Sequence, residues 1–207
     1  MLAIVDNDVV VKLARFGLLT ALESHLQAQK RTIALQPLID GTLDLANKTG
    51  QLKKFTTHDQ RAVAAALAAK VGRVTLNDRG KKLIELCVHT EGVDPGDAVW
   101  LAVGASTPGA LICTGDKTAL RGVARDTGCA EIVQALQGRV VCLEQIVADL
   151  IGRESIAIVR KGILAEPAAD AAVASCFGAQ KNQADSQREL AALIDGLRAD
   201  TGGLLRP

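Results

Sequence analysis

The fold is decided by two neighbouring stretches, Gly96-Asp97-Ala98-Val99-Trp100-Leu101-Ala102-Val103 and Ala110-Leu111-Ile112-Cys113-Thr114-Gly115-Asp116. The first is an apolar helical run that Asp97 opens, so its side chain projects from a first helical turn. The second is a short apolar strand, and Asp116 follows it at the start of another helix. Helices alternating with buried strands are typical of a mainly parallel sheet.

A third acidic residue follows an apolar strand at the beginning of the chain. Leu2-Ala3-Ile4-Val5 has the composition of a short buried strand, and Asp6 ends it. Ligands of open α/β sheets bind outside the carboxyl ends of the strands, where Asp6 and Asp116 are expected to lie. Converging carboxylates repel one another unless a hard cation holds them, and Mg²⁺ and Mn²⁺ prefer oxygen ligands. The pattern therefore predicts a metal site.

The remaining elements alternate in the same way along the chain. Asp8 is a good N-cap for a helix over 9–26, with Gly17 as its weak point. Strands are expected over 31–35, 110–113 and 139–143, and further helices from Pro37 and over 58–70, 78–89, 97–105 and 117–126, with one leading into Leu150. A turn is expected at 50–56, and Thr57 with Gln60 has the form of a capping box for the helix that follows. We expect an α/β fold, a three-layer α/β/α sandwich with a mainly parallel central sheet.

The chain changes character after Gly152. Residues 1–150 are expected to form one catalytic domain, and residues 151–207 a helical C-terminal extension. A short apolar stripe marks its last helix, at Leu190, Leu193, Ile194 and Leu197. The extension either docks on the core, bridges a dimer or binds a partner protein.

Composition restricts the classes of function. Apolar residues make up 48% of the chain and aromatic residues 2%, so platforms for stacking bases are scarce. A net charge of +1 gives no global attraction to nucleic acid, which leaves binding to local Lys and Arg side chains. The five cysteines form no C-x-x-C pair. With no basic segment before Asp6 and no long apolar run, a soluble, cytoplasmic protein is expected.

One internal similarity leaves the position of the site open. Asp59-Gln60-Arg61-Ala62-Val63, followed by Thr75-Leu76-Asn77-Asp78, repeats the spacing of Asp97 and Asp116. We favour the later copy, because residues 110–113 have the clearer strand pattern and Thr114-Gly115 gives a tighter turn after the strand.

Taken in order, three motifs resemble those of the PIN-domain nucleases. They are Leu2-Ala3-Ile4-Val5-Asp6, Asp97-Ala98-Val99-Trp100-Leu101-Ala102 and Ile112-Cys113-Thr114-Gly115-Asp116. The resemblance spans about residues 1–150. It implies a metal-dependent endoribonuclease whose carboxylates hold one or two Mg²⁺ or Mn²⁺ ions. Many relatives of this kind are toxins of bacterial toxin–antitoxin pairs.

The resemblance also implies roles for individual residues. Asp6, Asp97 and Asp116 would be catalytic metal ligands. The family has a fourth acid early in its second helix, for which Asp40 is the nearest candidate, with Asp44 one turn later. Thr114 would orient water or phosphate, and basic residues near the same rim would hold phosphates: Lys12, Arg15, Lys117, Arg121 and Arg125. This interpretation allows three partners: an RNA substrate, an antitoxin protein and a second copy of the chain. No membrane partner is expected.

Two other functions stay open at this point. Asp6-Asn7-Asp8 after a strand resembles the nucleophile motif of haloacid-dehalogenase-type phosphatases, but Gly115-Asp116 lacks the acid that should follow it closely, the next being Asp126. The uncertain fourth carboxylate also leaves room for a non-catalytic, PIN-like RNA-binding module.

Overall fold

The computed structural model describes residues 1–46, 52–178 and 180–207. Within these residues, five parallel strands form one sheet in the order β3-β2-β1-β4-β5. The strands are β1 (Leu2–Val5), β2 (Thr32–Leu35), β3 (Gly72–Arg73), β4 (Leu111–Thr114) and β5 (Val140–Cys142). Because every strand runs in the same direction, the carboxyl ends of all the strands lie at one edge of the sheet. The predicted α/β class with a parallel sheet is confirmed.

Helices make up most of the rest of the described chain. The first six are α1 (Asn7–Arg15), α2 (Leu19–Ala28), α3 (Ile39–Thr42), α4 (His58–Lys70), α5 (Asp78–Cys87) and α6 (Pro95–Ser106). They are followed by α7 (Lys117–Arg125), α8 (Ala130–Leu136), α9 (Leu143–Ile151), α10 (Ile156–Ala165), α11 (Ala171–Ser175) and α12 (Gln183–Asp200). Among the described residues, no helix is both long enough and apolar enough to cross a membrane.

Side chains of each strand point alternately to the two faces of the sheet, and this divides the core into two layers. In β1, Ala3 and Val5 join one hydrophobic cluster, whereas Ile4 joins the other. The first cluster packs against α1, α2, α4 and α9, and the second against α5, α6, α7 and α8. Successive strand side chains point to opposite faces, so both faces of the sheet are covered. This arrangement is the expected three-layer sandwich.

Gly17 breaks the helix that the sequence predicts over 9–26. Its φ of +67° lies in the left-handed region, which glycine adopts without strain. Helix α1 therefore ends at Arg15 and α2 begins at Leu19. The predicted N-cap was also wrong, because Asp6 occupies that position and Asp8 lies in the first turn of α1.

Other elements differ from the sequence-based expectation. Helix α3 begins at Ile39 rather than at Pro37 and is one turn long. Strand β3 has only two residues, too few to give a periodic pattern, and was not predicted. The turn expected at 50–56 lies partly outside the described residues. Helix α4 has the predicted capping box, with the Thr57 side chain accepting from the Gln60 backbone.

The C-terminal extension packs on the sheet layers. Phe177 and Leu190 are fully buried in the first cluster, and Leu197 is buried in the second. Leu205 forms a parallel bridge with Val140 at the β5 edge of the sheet. The extension is helical, as expected, and it supplies part of the core, while the division of the chain at residue 150 stays a prediction.

Candidate active site

A cleft of about 890 Å³ opens at the carboxyl-end edge of the sheet. Strands β1 and β4 end at this edge, and the first turns of α1, α6 and α7 begin there. The acidic side chains that line the cleft in the described part of the chain are Asp6, Asp8, Asp94, Asp97 and Asp116. The three motif acids thus come together from separate elements, as the sequence predicts.

Asp6 is held from both sides. It is only 5% exposed, and its backbone N–H donates to the carbonyl of Cys113 on β4 at 2.9 Å. Gln36 Nε2 donates to Asp6 Oδ1 at 2.8 Å, and Thr114 Oγ1 donates to Asp6 Oδ2 at 3.0 Å. Residues at the ends of β2 and β4 therefore fix the orientation of this carboxylate.

Asp97 lies in the first turn of α6, where a reciprocal capping box holds it. The Asp97 backbone donates to Asp94 Oδ1 at 2.8 Å, and the Asp94 backbone donates to Asp97 Oδ2 at 3.2 Å. Trp100 Nε1 donates to Asp97 Oδ1 at 3.0 Å. Pro95 at the first helical position pre-sets the backbone for this start. The Asp97 carboxylate is thus held while it faces the cleft.

Asp116 is the N-cap of α7. Its Oδ1 accepts from the backbone N–H groups of Thr118 and Ala119, both at 2.9 Å. Its own N–H donates to Thr114 Oγ1 at 3.1 Å, so the hydroxyl of Thr114 connects Asp6 with Asp116. Thr114, predicted to orient water or phosphate, is fully buried and instead orients two of the motif acids.

The surroundings of the cleft destabilise the ionised form of its buried carboxyl groups. Burial, followed by repulsion from Asp8, raises the pKa of Asp6 to about 7, even though the hydrogen bond from Thr114 acts in the opposite direction. Burial and repulsion from Asp116 raise the pKa of Asp97 to about 6. Carboxylates with raised pKa values in a cleft are candidates for a functional site, because a bound cation or a proton relieves the repulsion.

The side chains of the cleft offer the oxygen ligands that a hard cation prefers. Every motif side chain offers carboxylate oxygen, and Asn7 Oδ1, beside Asp6 in the same cleft, is buried without a hydrogen-bond donor. In the described part of the chain, however, no three Asp, Glu, His or Cys side chains lie close enough together to ligate one ion. Shared ligation by Asp6, Asp97 and Asp116 would therefore require side-chain movement.

The expected fourth acid lies elsewhere. Arg73 Nη2 donates to Asp40 Oδ1 at 3.0 Å and to Oδ2 at 2.8 Å, and Asp40 does not line the cleft. Because α3 begins at Ile39, its register turns Asp40 toward β3 and presents Thr42 to the cleft. Asp44 has a φ of +51° beyond the end of α3 and does not line the cleft either.

Most of the basic residues predicted to hold phosphate pair with acids of the protein itself. Lys12 contacts Asp8 and Asp170, Arg15 contacts Glu166, Lys117 contacts Glu144, and Arg121 contacts Asp200. Arg121 and Arg125 line a separate surface depression beside Thr118. These ion pairs reduce the positive charge available to an anionic ligand near the cleft.

Gln36 and Lys54 are polar residues of the cleft that were not among the predicted site residues. Gln36 directly follows β2, so its place at the strand ends could have identified it, as it did Asp6. Lys54 also lines the cleft, and it does so without an ion pair among the described residues. No sequence signal points to Lys54, because its segment has no periodic pattern. In the earlier copy of the internal similarity, Asp59 and Asp78 are exposed and do not line the cleft.

Comparison of the chain with protein-family models, with characterised proteins and with solved structures gave no significant match. The functional argument therefore depends on the residues of the cleft themselves.

Proposed function

We propose that this protein is a metal-dependent endoribonuclease that hydrolyses RNA phosphodiester bonds. The observation that carries the proposal is the meeting of Asp6, Asp97 and Asp116 in one cleft, each from a different helix or strand end. The two buried acids among them have raised pKa values, which a divalent cation would relieve. The order of the three acidic motifs along the chain, shared with the PIN-domain nucleases, and the parallel α/β fold both support this function.

Asp6, Asp97 and Asp116 are the residues that would hold Mg²⁺ or Mn²⁺. When bound, such an ion lowers the pKa of water and stabilises charge on phosphate oxygens. The chain contributes positioning: Gln36 and Thr114 fix Asp6, and the start of α6 fixes Asp97. In the phosphatase alternative, Asp8 would be the acid that protonates the leaving group, and here its Oδ2 lies 2.7 Å from Lys12 Nζ.

The rest of the cleft suits an unpaired nucleotide. Five apolar side chains line the cleft together with the acids: Val11, Leu38, Leu43, Leu76 and Val99. Leu38 is 78% exposed, so a sugar or base can pack on it without displacing other side chains. Lys54 is a cation available for a phosphate. A single strand can place one nucleotide in such a cleft, whereas a duplex keeps its bases stacked inside the helix.

The direct test is cleavage of end-labelled single-stranded RNA in Mn²⁺, in Mg²⁺ and in EDTA. Internal cleavage is expected with either metal, and none with EDTA. Asp97→Asn should abolish it, because the amide keeps the shape of the carboxylate but removes its charge. Asp59→Asn is the matched control, since Asp59 corresponds to Asp97 in the earlier copy and is exposed outside the cleft.

Three results would overturn the proposal. One is RNA cleavage that persists unchanged in Asp97→Asn after repurification, which would indicate a contaminating ribonuclease. Another is hydrolysis of a small phosphomonoester without RNA cleavage, which would favour the phosphatase alternative. The third is a folded protein that binds RNA and cleaves neither substrate, which would indicate a non-catalytic binding module.

A narrower form of the proposal is that the nuclease is the toxin of a toxin–antitoxin pair. Its test is co-expression with the product of the adjacent reading frame. An antitoxin should co-purify with the protein, suppress RNA cleavage and restore growth of cells that express it. Growth that is unaffected by the active protein alone would contradict a toxin role and leave the nuclease proposal standing.

A further inference from the structure

One buried acid of the C-terminal extension, Asp170, is linked through Lys12 to a residue that lines the cleft. Asp170 precedes α11, where its Oδ1 accepts from the backbone N–H of Val173 at 3.0 Å. Its other oxygen, Oδ2, lies 3.0 Å from Lys12 Nζ, and its side chain is only 7% exposed. The two oxygens thus have separate partners, one inside the extension and the other on α1.

Lys12 also contacts a residue that lines the cleft. Its ammonium lies 2.7 Å from Oδ2 of Asp8, a residue that lines the cleft. Lys12 is only 17% exposed and is paired with both acids, so the three side chains form an ion triplet. We call Asp8, Lys12 and Asp170 the ion triplet.

The ion triplet lies directly against the segment that carries a motif acid. A Cβ atom on Gly115 would lie 2.1 Å from Asp8 Oδ2 and 3.3 Å from Lys12 Nζ. Such distances leave no room for a side chain, so the triplet packs on the backbone of the residue immediately before Asp116. The position of that backbone helps to set where Asp116 enters the cleft.

A second buried ion pair flanks the same segment. Lys117, the residue after Asp116, contacts Glu144 of α9, which is 2% exposed. Burial opposes ionisation of Asp170, but hydrogen bonding from α11 and the charges of Lys12 and Lys117 outweigh it and lower the Asp170 pKa. Asp170 therefore lies within electrostatic reach of both lysines that flank Gly115 and Asp116.

We propose that Asp170 is a positioning residue for the metal-binding segment, acting through Lys12 and Asp8 on Gly115 and Asp116. The inference depends on the proposed function, since it concerns the affinity of that same site for a divalent cation. It assigns the C-terminal extension a role in the site beyond its contribution to the hydrophobic core.

The test is the Mn²⁺ affinity of the full-length protein, measured by titration calorimetry and by the electron paramagnetic resonance signal of free Mn²⁺. Asp170→Asn keeps the oxygen that caps α11 and replaces the oxygen facing Lys12 with an amide. Loss of partners that orient metal ligands weakens affinity about 10- to 100-fold, and a weakening in that range is expected here. The matched control is Glu189→Gln, which removes another acid of the extension, the partner of Lys181.

A double-mutant cycle separates positioning from a general structural effect. If Asp170 acts through Lys12, Asp170→Asn should add little to the loss already caused by Lys12→Met. Additive losses would overturn the proposal, as would unchanged Mn²⁺ affinity in Asp170→Asn. If that variant does not fold, Asp170→Ser, which retains a capping oxygen, replaces it under the same criteria.

Failure of the inference and failure of the proposed function give different results. Wild-type protein that binds no Mn²⁺ at millimolar concentration overturns both. Wild-type protein that binds Mn²⁺ with an affinity equal to that of Asp170→Asn overturns only the role of Asp170.

Discussion

The side chain of Gln36 donates a 2.8 Å hydrogen bond to Oδ1 of Asp6 and accepts a 3.0 Å hydrogen bond from Asn7 Nδ2. Together with Thr114, Gln36 gives both oxygens of Asp6 a donor. Donors on both oxygens stabilise the charged carboxylate, in opposition to its burial. Gln36 therefore has a larger effect on the site than its lack of charge suggests.

We expect Gln36→Met to raise the pKa of Asp6 above its value of about 7, because the charged form loses a donor. Hydrogen bonds to charged groups contribute roughly 1.5–3 kcal/mol, so the free energy of unfolding at pH 8 without metal should fall by a similar amount. Carboxyl NMR titration and urea unfolding measure the two effects. Gln27→Met, on the exposed face of α2, is the control, and an unchanged Asp6 pKa would contradict this role.

The metal-free protein should lose stability as the pH rises toward neutrality. Asp6 has a folded-state pKa of about 7 against an ordinary value of 3.8, so the folded state binds its proton more tightly than the unfolded state does. This contribution is complete below the unfolded-state pKa and is lost as the pH rises through about 7. At about 1.4 kcal/mol for each pKa unit, Asp6 alone accounts for roughly 4 kcal/mol.

Urea unfolding in EDTA between pH 4 and pH 8 checks this pH dependence. Saturating Mn²⁺ should restore stability at pH 8 if the cation binds the folded state selectively. A free energy of unfolding that stays constant or rises over this range would show that Asp6 titrates near its ordinary pKa.

Substitution of Asp116 should relieve repulsion in the cleft. The Asp116 charge is the second largest cause, after burial, of the raised pKa of Asp97. Asp116→Asn keeps an oxygen for the backbone of α7, so the helix cap should survive. We expect the Asp97 pKa to fall below about 6, the metal-free protein to become slightly more stable at pH 8, and RNA cleavage to disappear. NMR titration of Asp97 provides the measurement, and an unaltered pKa would place the two carboxylates too far apart to share an ion.

Lys54→Ala should weaken RNA binding more than Lys53→Ala, because Lys54 lines the cleft and Lys53 does not. Fluorescence anisotropy with single-stranded RNA in EDTA measures binding without cleavage. Loss of one phosphate contact should reduce the slope of log affinity against log salt concentration by about 0.7. Equal effects of the two substitutions would indicate a diffuse basic surface instead of a contact in the cleft.

Two leucines of α12 provide a test of how the extension is anchored. Leu190 is fully buried and Leu193 is 36% exposed, although both belong to the apolar stripe of the sequence. Leu190→Ala should lower the free energy of unfolding by about 2–5 kcal/mol, the usual effect of a large-to-small change in a core. The change at Leu193 should be much smaller. Similar losses in both variants would show that α12 packs differently in solution.

The sequence predicts the motif acids well because each directly follows a buried strand or opens an apolar helix. The positions of Asp6, Asp97 and Asp116 could therefore be predicted from two things. These are the periodicity of the neighbouring residues and the rule that parallel strands end at the same edge of the sheet. Asp40 was misplaced because its position depends on where a one-turn helix begins, which a proline two residues before Ile39 does not determine. The contact of Asp40 with Arg73 on a two-residue strand has no local pattern at all.

The ion-pair partners of the basic residues could not be predicted from the sequence either. Lys12 and Arg15 have the spacing of an exposed helix face, but their partners, Asp170 and Glu166, are distant in the chain. Ion pairs between distant segments depend on how the helical layers pack. Local composition does not contain that information, so α1 was expected to present its cations to phosphate.

The parallel bridge between Val140 and Leu205 has a consequence for biosynthesis. Until Leu205 has been made, β5 emerges from the ribosome as an open sheet edge, available to any other unpaired strand. The helices between these two residues must therefore be synthesised while that edge is exposed. Nascent chains stalled in this interval should be the species that aggregate during expression, and slower translation across α10 to α12 should reduce the yield of soluble protein.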